Sequence, residues 1–504
     1  MKQHRGSLSI VALLAIASVG SVLFWHHQSA AQDRRQLLVQ YIATLDEIVS
    51  TSRQNFYKDV DEAKMLEGAI RGAVAALNDP HSFYQSPAER QREAENLFQA
   101  KFGGLGIRIY AEPHADGRAV VKISKPLRNS PATKHDLRSG DVILQVNGEP
   151  VILGGPSGLS MDDVVSRLRG PVGEPVTITV ERRNWGKPFD VTLVREEIKL
   201  ESVEWTPIQP GIAYISVESF TGSTMEEFAK ALAEIQQEMT LRAIILDLRG
   251  NRGGLLGAAK EVADAFLSDG VIVSTRGKQP QFNHVYKADP PVLLRPNVEL
   301  VVLVDGDSAS GSEIVAGAVK DLKRGVIVGA KTFGKGVVQE RFVLENKGAV
   351  SLTISSYYTS NGTSIDGEGI LPHVALEAET LTDQDSFYLG QVRSKGLIEK
   401  FVLDYVAEYE RQHDNTPPRD FGPLLARLPD MIAAIEKAGL HLDSRVARLE
   451  ARRIFNLNVG NDPLIDLEND RQLAEAVHIL RDVGVAQVLS GNYRVASQGA
   501  ATTN

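Results

Sequence analysis

Two short segments carry side chains that could do acyl-transfer chemistry together. The first, Val304-Asp305-Gly306-Asp307-Ser308-Ala309-Ser310-Gly311-Ser312-Glu313-Ile314, sets three serines between an apolar strand-like run and a helix-like run. In open α/β folds the carboxyl edge of the sheet is where sites form, and free N–H groups at a helix start favour a developing oxyanion. A serine there is also a helix cap: Ser310-x-x-Glu313 matches a capping box, and residue types alone favour that reading. The second segment, Gly329-Ala330-Lys331-Thr332-Phe333-Gly334-Lys335-Gly336-Val337-Val338-Gln339, holds Lys335 between two glycines. A lysine takes a proton from serine only when neutral, and burial or desolvation brings that about. Gly329-x-x-x-x-Gly334-Lys335 also imitates a phosphate-binding loop, but Gly336 stands where a hydroxyl must reach Mg²⁺. Histidine offers no alternative base in a recognisable triad context: His81 follows Asp79-Pro80, His284 falls in a polar loop and His373 follows Pro372.

The elements that must position these groups follow from hydrophobic periodicity. From Gly211 to about Glu377 strands and helices alternate: strands at Ile212–Val217, Ala243–Leu248 and Leu300–Val304, helices at Thr224–Glu238, Leu255–Leu267 and Glu313–Leu322. Val326–Val328 then leads into a strand-rich end through Tyr357. Such alternation predicts an α/β core with a mostly parallel sheet. Before it, residues 35–100 show helical spacing, with Leu37, Leu38, Tyr41, Ile42, Leu45, Ile48 and Val49 on one stripe. A second stripe, Met65, Leu66, Ile70, Val74 and Leu77, ends at Asn78-Asp79-Pro80. Between lies a β-rich stretch of short alternating runs broken by one helix, Met161 to Leu168.

That stretch resembles a PDZ domain in Gly104-Leu105-Gly106-Ile107, Leu137-Arg138-Ser139-Gly140-Asp141-Val142-Ile143 and Val146-Asn147-Gly148. Glycines ahead of a strand can turn N–H groups toward a peptide carboxylate, and the edge Ile107 to Tyr110 can add an extended C-terminal tail as a strand. Val164 and Leu168, at i and i+4 on the helix, would line the pocket for the terminal side chain.

Ser-Ala-Ser-Gly-Ser-Glu-Ile at 308–314, Thr-Phe-Gly-Lys-Gly-Val-Val-Gln at 332–339, Ser356-Tyr357-Tyr358-Thr359-x-x-Gly362 and Gly369-Ile370-x-Pro372 strongly resemble the carboxyl-terminal processing (tail-specific) proteases. The resemblance runs from about residue 35 to 378. It implies a serine endopeptidase with Ser310 as nucleophile, Lys335 as general base and Gln339 in support, and it selects Ser310 over Ser308 and Ser312 by the 25-residue interval to Lys335. It further implies an oxyanion hole from Gly253 or Gly254, in Leu248-Arg249-Gly250-Asn251-Arg252-Gly253-Gly254, together with Gly311, and it requires no metal or nucleotide. Three positions depart from the family pattern: Arg252 replaces a proline, Gly311 an alanine and His373 an aspartate. On a straight strand Lys335 and Gln339 would stand about 13 Å apart, so contact between them needs a bend, which Gly334 and Gly336 permit. The competing reading is a non-catalytic envelope scaffold that binds peptide C-termini; a lipid-handling use of the same core has no dedicated signal.

The 504 residues count 55 Lys and Arg against 64 Asp and Glu, a net charge of −9 with no basic run, which argues against nucleic-acid binding. There is no cysteine, so disulfides, thiolate nucleophiles and Cys-type zinc sites are excluded. Lys2, His4 and Arg5 precede an uncharged, apolar stretch from Gly6 to Trp25, and Ser29-Ala30-Ala31 offers a cleavage site. This reads as an export signal or retained membrane anchor, hence a periplasmic protein associated with the membrane if the segment stays. The expected architecture is an α/β protease core with an inserted β-rich PDZ domain, flanked by helical regions. The expected divisions are 1–32 (signal or anchor), 33–100 (helical), 101–197 (PDZ), 198–380 (protease core), 381–496 (helical) and 497–504 (disordered tail). The amphipathic stripes beyond 381 would suit self-association, an adaptor protein or packing onto the core.

Overall fold

The runs Ile212–Val217, Ala243–Asp247, Glu299–Val304 and Val326–Gly329 are almost wholly apolar, which suits strands buried on both faces. In the computed structural model they lie parallel in that order, with Val203–Gln209 antiparallel at one edge and Val374–Ala375 parallel at the other. The structure describes residues 33–94, 101–113, 119–127, 129–154, 158–182, 186–378, 381–414, 416–459 and 464–495. The candidate export segment lies outside them; no described helix is long and apolar enough to cross a membrane.

Because side chains alternate along a strand, the sheet has two apolar faces. Ala213, Ile215, Ile244, Leu246, Leu300 and Val302 pack against the helices Thr224–Glu238, Leu256–Asp264 and Gly311–Asp321. Ile212, Tyr214, Ile245, Val301, Leu303 and Val328 face the opposite way and are covered by Leu473, Ala476, Val477, Leu480 and Val488. The end of the chain, through the helices Arg471–His478 and Val485–Leu489, is therefore the third layer of the core. Residues 383–459 form a separate helical cluster around Val402, Tyr405, Ile435, Val446 and Phe455.

The chain divides into two units, residues 1–87 with 341–352 and residues 88–340 with 353–504. In the first, residues 33–55 and Glu62–Ala75 are helical as the spacing predicts. Leu37, Leu38, Tyr41, Ile42 and Ile48 of the first stripe nevertheless stay exposed, while Val49 is buried. In this unit Phe83–Gln85 also pairs antiparallel with Ala349–Ser351. In the second unit, the β-rich module is a sheet ordered Ile107–Pro113, Ala119–Pro126, Val142–Val146, Pro175–Glu181, Phe189–Val194, with Ile107–Pro113 at its edge. A hairpin absent from the sequence reading, Val271–Gly277 with His284–Lys287, pairs through Ser274–Gly277 with Ser355–Tyr358, so His284 lies on a strand and not in a loop.

His373 fastens the last parallel strand to its neighbour. Its Nδ1 accepts from the Ile327 N–H at 3.0 Å, and its own N–H donates to the Ile327 carbonyl at 2.9 Å. Burial, with Lys320 nearby, holds the imidazole below its usual range of 6.5. The unfolded chain thus takes up this proton more readily than the folded one. The residue's contribution to stability is complete above the unfolded pKa and declines as pH falls through the folded pKa. Thermal melts from about pH 7 to about pH 5 should show the native chain losing Tm faster than a His373→Asn variant. Parallel curves would remove this titration from the acid response.

Candidate active site

The sheet's carboxyl edge carries the serine-rich turn between Val304 and the helix Gly311–Asp321. Two of its serines are structural. Ser308 and Ser312 are fully buried, and their hydroxyls donate to the Leu248 and Asn251 carbonyls, each at 2.8 Å. Ser310 is only half-buried and stands at φ 54° and ψ −108°, a left-handed backbone that a non-glycine residue adopts at a cost of about 1–3 kcal/mol. Burial, reinforced by nearby Tyr286 and opposed by Ser310, holds the phenol of Tyr357 far above the usual tyrosine range. Tyr357 thus presents a neutral O–H, and its backbone N–H donates to the Gly336 carbonyl at 2.7 Å.

Residues 331–336 run outside any strand, the backbone turns at Gly334 (φ 90°), and the strand begins only at Val337. This bend brings Lys335 Nζ to 2.9 Å from Gln339 Oε1, closing the interval that a straight strand would leave open.

Glu313 ties the two segments together. Its fully buried carboxylate accepts from Thr332 Oγ1 (2.6 Å) and Gly334 N (2.7 Å) on Oε1, and from Ser310 N (2.8 Å) and Lys335 N (2.9 Å) on Oε2. The Ser310 and Lys335 backbones are therefore both within hydrogen-bonding reach of one oxygen. The sequence marks Glu313 only as the partner in a capping box. Half of that box forms, through Ser310 N, while the Glu313 N–H goes to the Ser310 carbonyl at 2.9 Å.

The glycine loop after Ala243–Asp247 abuts the serine turn. A Cβ on Gly253 would lie 2.8 Å from Ser310 Cβ and 3.0 Å from Gly311 N, so only glycine permits this approach. The Gly253 N–H itself donates to Asn251 Oδ1 at 2.8 Å, which withdraws it as an oxyanion donor. Among the described residues the Gly254 and Gly311 N–H groups have no acceptor. The departure to glycine at 311 also has a cause. A Cβ there would meet the ring of fully buried Phe220 at 2.8 Å, so alanine would require that ring to move. Arg252, in place of proline, pairs with Asp307 at 2.9 Å on the exposed rim.

In the β-rich module the expectation for Val164 is corrected. Val164 is fully buried in the module's core, and it is Val165, with Leu168, that faces the cavity beside the edge strand. A step of one residue turns a helical side chain by about 100°, and that exchanges the two faces. The cavity, of about 880 Å³, is lined by Gly104, Leu105, Gly106 and Ile107 of this module and by Gly250, Arg252, Gly253 and Gly254 of the glycine loop.

Three family models match parts of this chain. Residues 211–376 match the model of peptidase family S41, 122–182 a PDZ domain and 22–87 the N-terminal domain of the activating protease CtpB. A carboxy-terminal-processing protease of Bartonella bacilliformis is 37% identical over 354 residues, 69% of this chain and 78% of the relative. The carboxy-terminal processing protease CtpB of Bacillus subtilis is 31% identical over 374 residues, 72% of each chain. The solved structure of a photosystem II D1 C-terminal processing protease is 28% identical, covering 65% of this chain and 85% of that one, with a TM-score of 0.39.

Proposed function

Because the chain belongs to the carboxy-terminal-processing serine proteases of peptidase family S41 and carries a PDZ domain, we propose that it cuts proteins near their C-termini with a Ser310–Lys335 dyad. Ser310 Oγ attacks the scissile carbonyl while neutral Lys335 Nζ takes the hydroxyl proton. The tetrahedral oxyanion is received by the N–H groups of Gly254 and Gly311. Lys335 then protonates the leaving amine, and water, deprotonated by the same lysine, releases the acyl group from Ser310. Gln339 Oε1 accepts one ammonium or amine N–H and so orients the lysine.

The observation that supports tail-directed cleavage is the single cavity shared by the PDZ edge strand and the glycine loop. A peptide carboxylate at Gly104–Ile107 would leave the upstream chain running toward Gly253 and Gly254. Arg108, on the edge strand, pairs with Glu218 of the protease core at 2.7 Å, both side chains being about half exposed. Such a pair is worth about 0–1 kcal/mol, so an entering tail can displace it and let the PDZ module move.

A peptide substrate with a free C-terminus should be cleaved with at least about tenfold higher kcat/KM than its amidated twin, as fits a loss of roughly 1.4 kcal/mol or more of carboxylate binding. Equal values would dismiss tail capture while leaving the dyad standing. We infer further that residues 1–32 direct export to the periplasm, where the segment either is removed or holds the enzyme at the membrane. Cell fractionation that finds the protein in the cytosol would exclude this.

A further inference from the structure

Arg249 opens the glycine loop, and its guanidinium is gripped from both sides. Nε contacts both oxygens of Asp247 at 3.0 Å, and Nη2 reaches Asp247 Oδ2 at 2.5 Å. On the other side Nη1 donates to Asp470 Oδ1 at 2.8 Å and to Gln472 Oε1 at 3.0 Å, while Nη2 donates to Asp470 Oδ2 at 2.7 Å. Every N–H of the fork is used, in a planar arrangement that lysine could not reproduce. Asp470 and Gln472 lie more than 220 positions downstream, at the start of the helix Arg471–His478. Gln472 is buried and also donates from Nε2 to the Leu376 carbonyl at 2.6 Å.

The far side of the same loop is bound to the serine turn. Gly250 N donates to Asp305, and the Asn251 carbonyl accepts from Ala309 N at 3.0 Å and Ser312 Oγ at 2.8 Å. The loop carrying the Gly254 N–H is thus held between the turn that bears Ser310 and the helix at the end of the chain.

We propose that Asp470 and Gln472 are positioning residues for peptide cleavage, acting through Arg249 on the oxyanion-binding loop; this rests on the Ser310-centred reading above. The docking of the helix does not itself need the ion pair, since Leu473, Ala476 and Val477 are buried against the sheet. The charged grip has a separate task, which is to fix where the Gly254 N–H points. Oxyanion donors work at about 2.7–3.1 Å, so a shift of a few tenths of an ångström in this loop weakens the transition state and spares ground-state binding.

The test uses the full-length protein. Asp470 also caps its helix by accepting from Leu473 N at 3.0 Å, and serine can keep that cap while giving up the bidentate contact to Arg249. Asp470→Ser should lower kcat by about 10- to 100-fold with KM within about twofold. It should weaken a peptide boronate, whose tetrahedral adduct occupies the oxyanion hole, by a similar factor. Gln472→Ala should move kcat the same way by less, and Arg471→Ala, whose exposed side chain is not part of the grip, should behave as the native enzyme. If Asp470→Ser and Gln472→Ala both keep kcat and boronate affinity within about twofold of native, the grip is only structural and the proposal falls. A kcat loss that tracks a loss of Tm, with boronate affinity unchanged, overturns it equally. Should Asp470→Ser not fold, Gln472→Ala decides by the same criteria. An active Ser310→Ala enzyme would instead remove the underlying site, and this proposal with it.

Discussion

Ser310→Ala and Lys335→Ala should each reduce turnover of an unstructured protein substrate by about 10⁴-fold or more, as losses of groups that act as one unit do. The folded state should barely register the first change. The half-buried Ser310 side chain loses only its hydroxyl, and alanine inherits the same strained backbone. Ser308→Ala and Ser312→Ala should behave in the opposite sense. Their hydroxyls make buried hydrogen bonds to carbonyls of the glycine loop that each keep a second, backbone donor, so their removal should cost about 0.5–1.5 kcal/mol of stability. Casein digestion alongside thermal melts separates the two patterns. A Ser310→Ala or Lys335→Ala enzyme that keeps a tenth of native turnover would end the dyad reading and restore Ser310 to the role of a helix cap.

That ambiguity marks how far the sequence could reach. The parallel strands are legible because Ile212–Val217 and Glu299–Val304 are apolar on both faces, a pattern that only a doubly covered sheet demands. What covers the second face is not legible. The stripe Leu473, Ala476, Val477 and Leu480 fits a partner, a second copy or the core equally well, and only the fold selects the core. The Val164 and Val165 exchange has a similar origin: helical spacing defines a stripe but not which edge of it meets the peptide groove. The contact of Lys335 with Gln339 depends on where the strand begins, and boundaries are what periodicity defines least. Arg249, Asp470 and Gln472 could not be connected from sequence at all, because no spacing rule relates positions so far apart.

Glu313 is the sharpest case of a residue whose sequence signal is correct but too small. As a capping partner, its loss would cost on the order of 1 kcal/mol. In the structure its carboxylate accepts four donors, from Ser310 N, Thr332 Oγ1, Gly334 N and Lys335 N, at a site closed to water. Glu313→Ala strands these donors and opens a cavity, and each buried donor left unpaired costs about 1–3 kcal/mol before relaxation. Glu313→Gln preserves the volume but turns an amide N–H₂ toward groups that are themselves donors, so the isosteric change is no rescue. Both variants should lose about 3–5 kcal/mol, a drop in Tm of several degrees or more for the unit that contains the site. Where the protein remains folded, kcat should fall by at least about 10²-fold, because the two segments bearing nucleophile and base are no longer fixed to one oxygen. Hydrogen exchange resolved at Gly334 and Lys335 gives the mechanism: protection should be lost there first, and the kcat loss should exceed any rise in KM. A Glu313→Gln enzyme with native exchange at those amides and native kcat would mean that Ser310 and Lys335 are held by something other than this shared carboxylate.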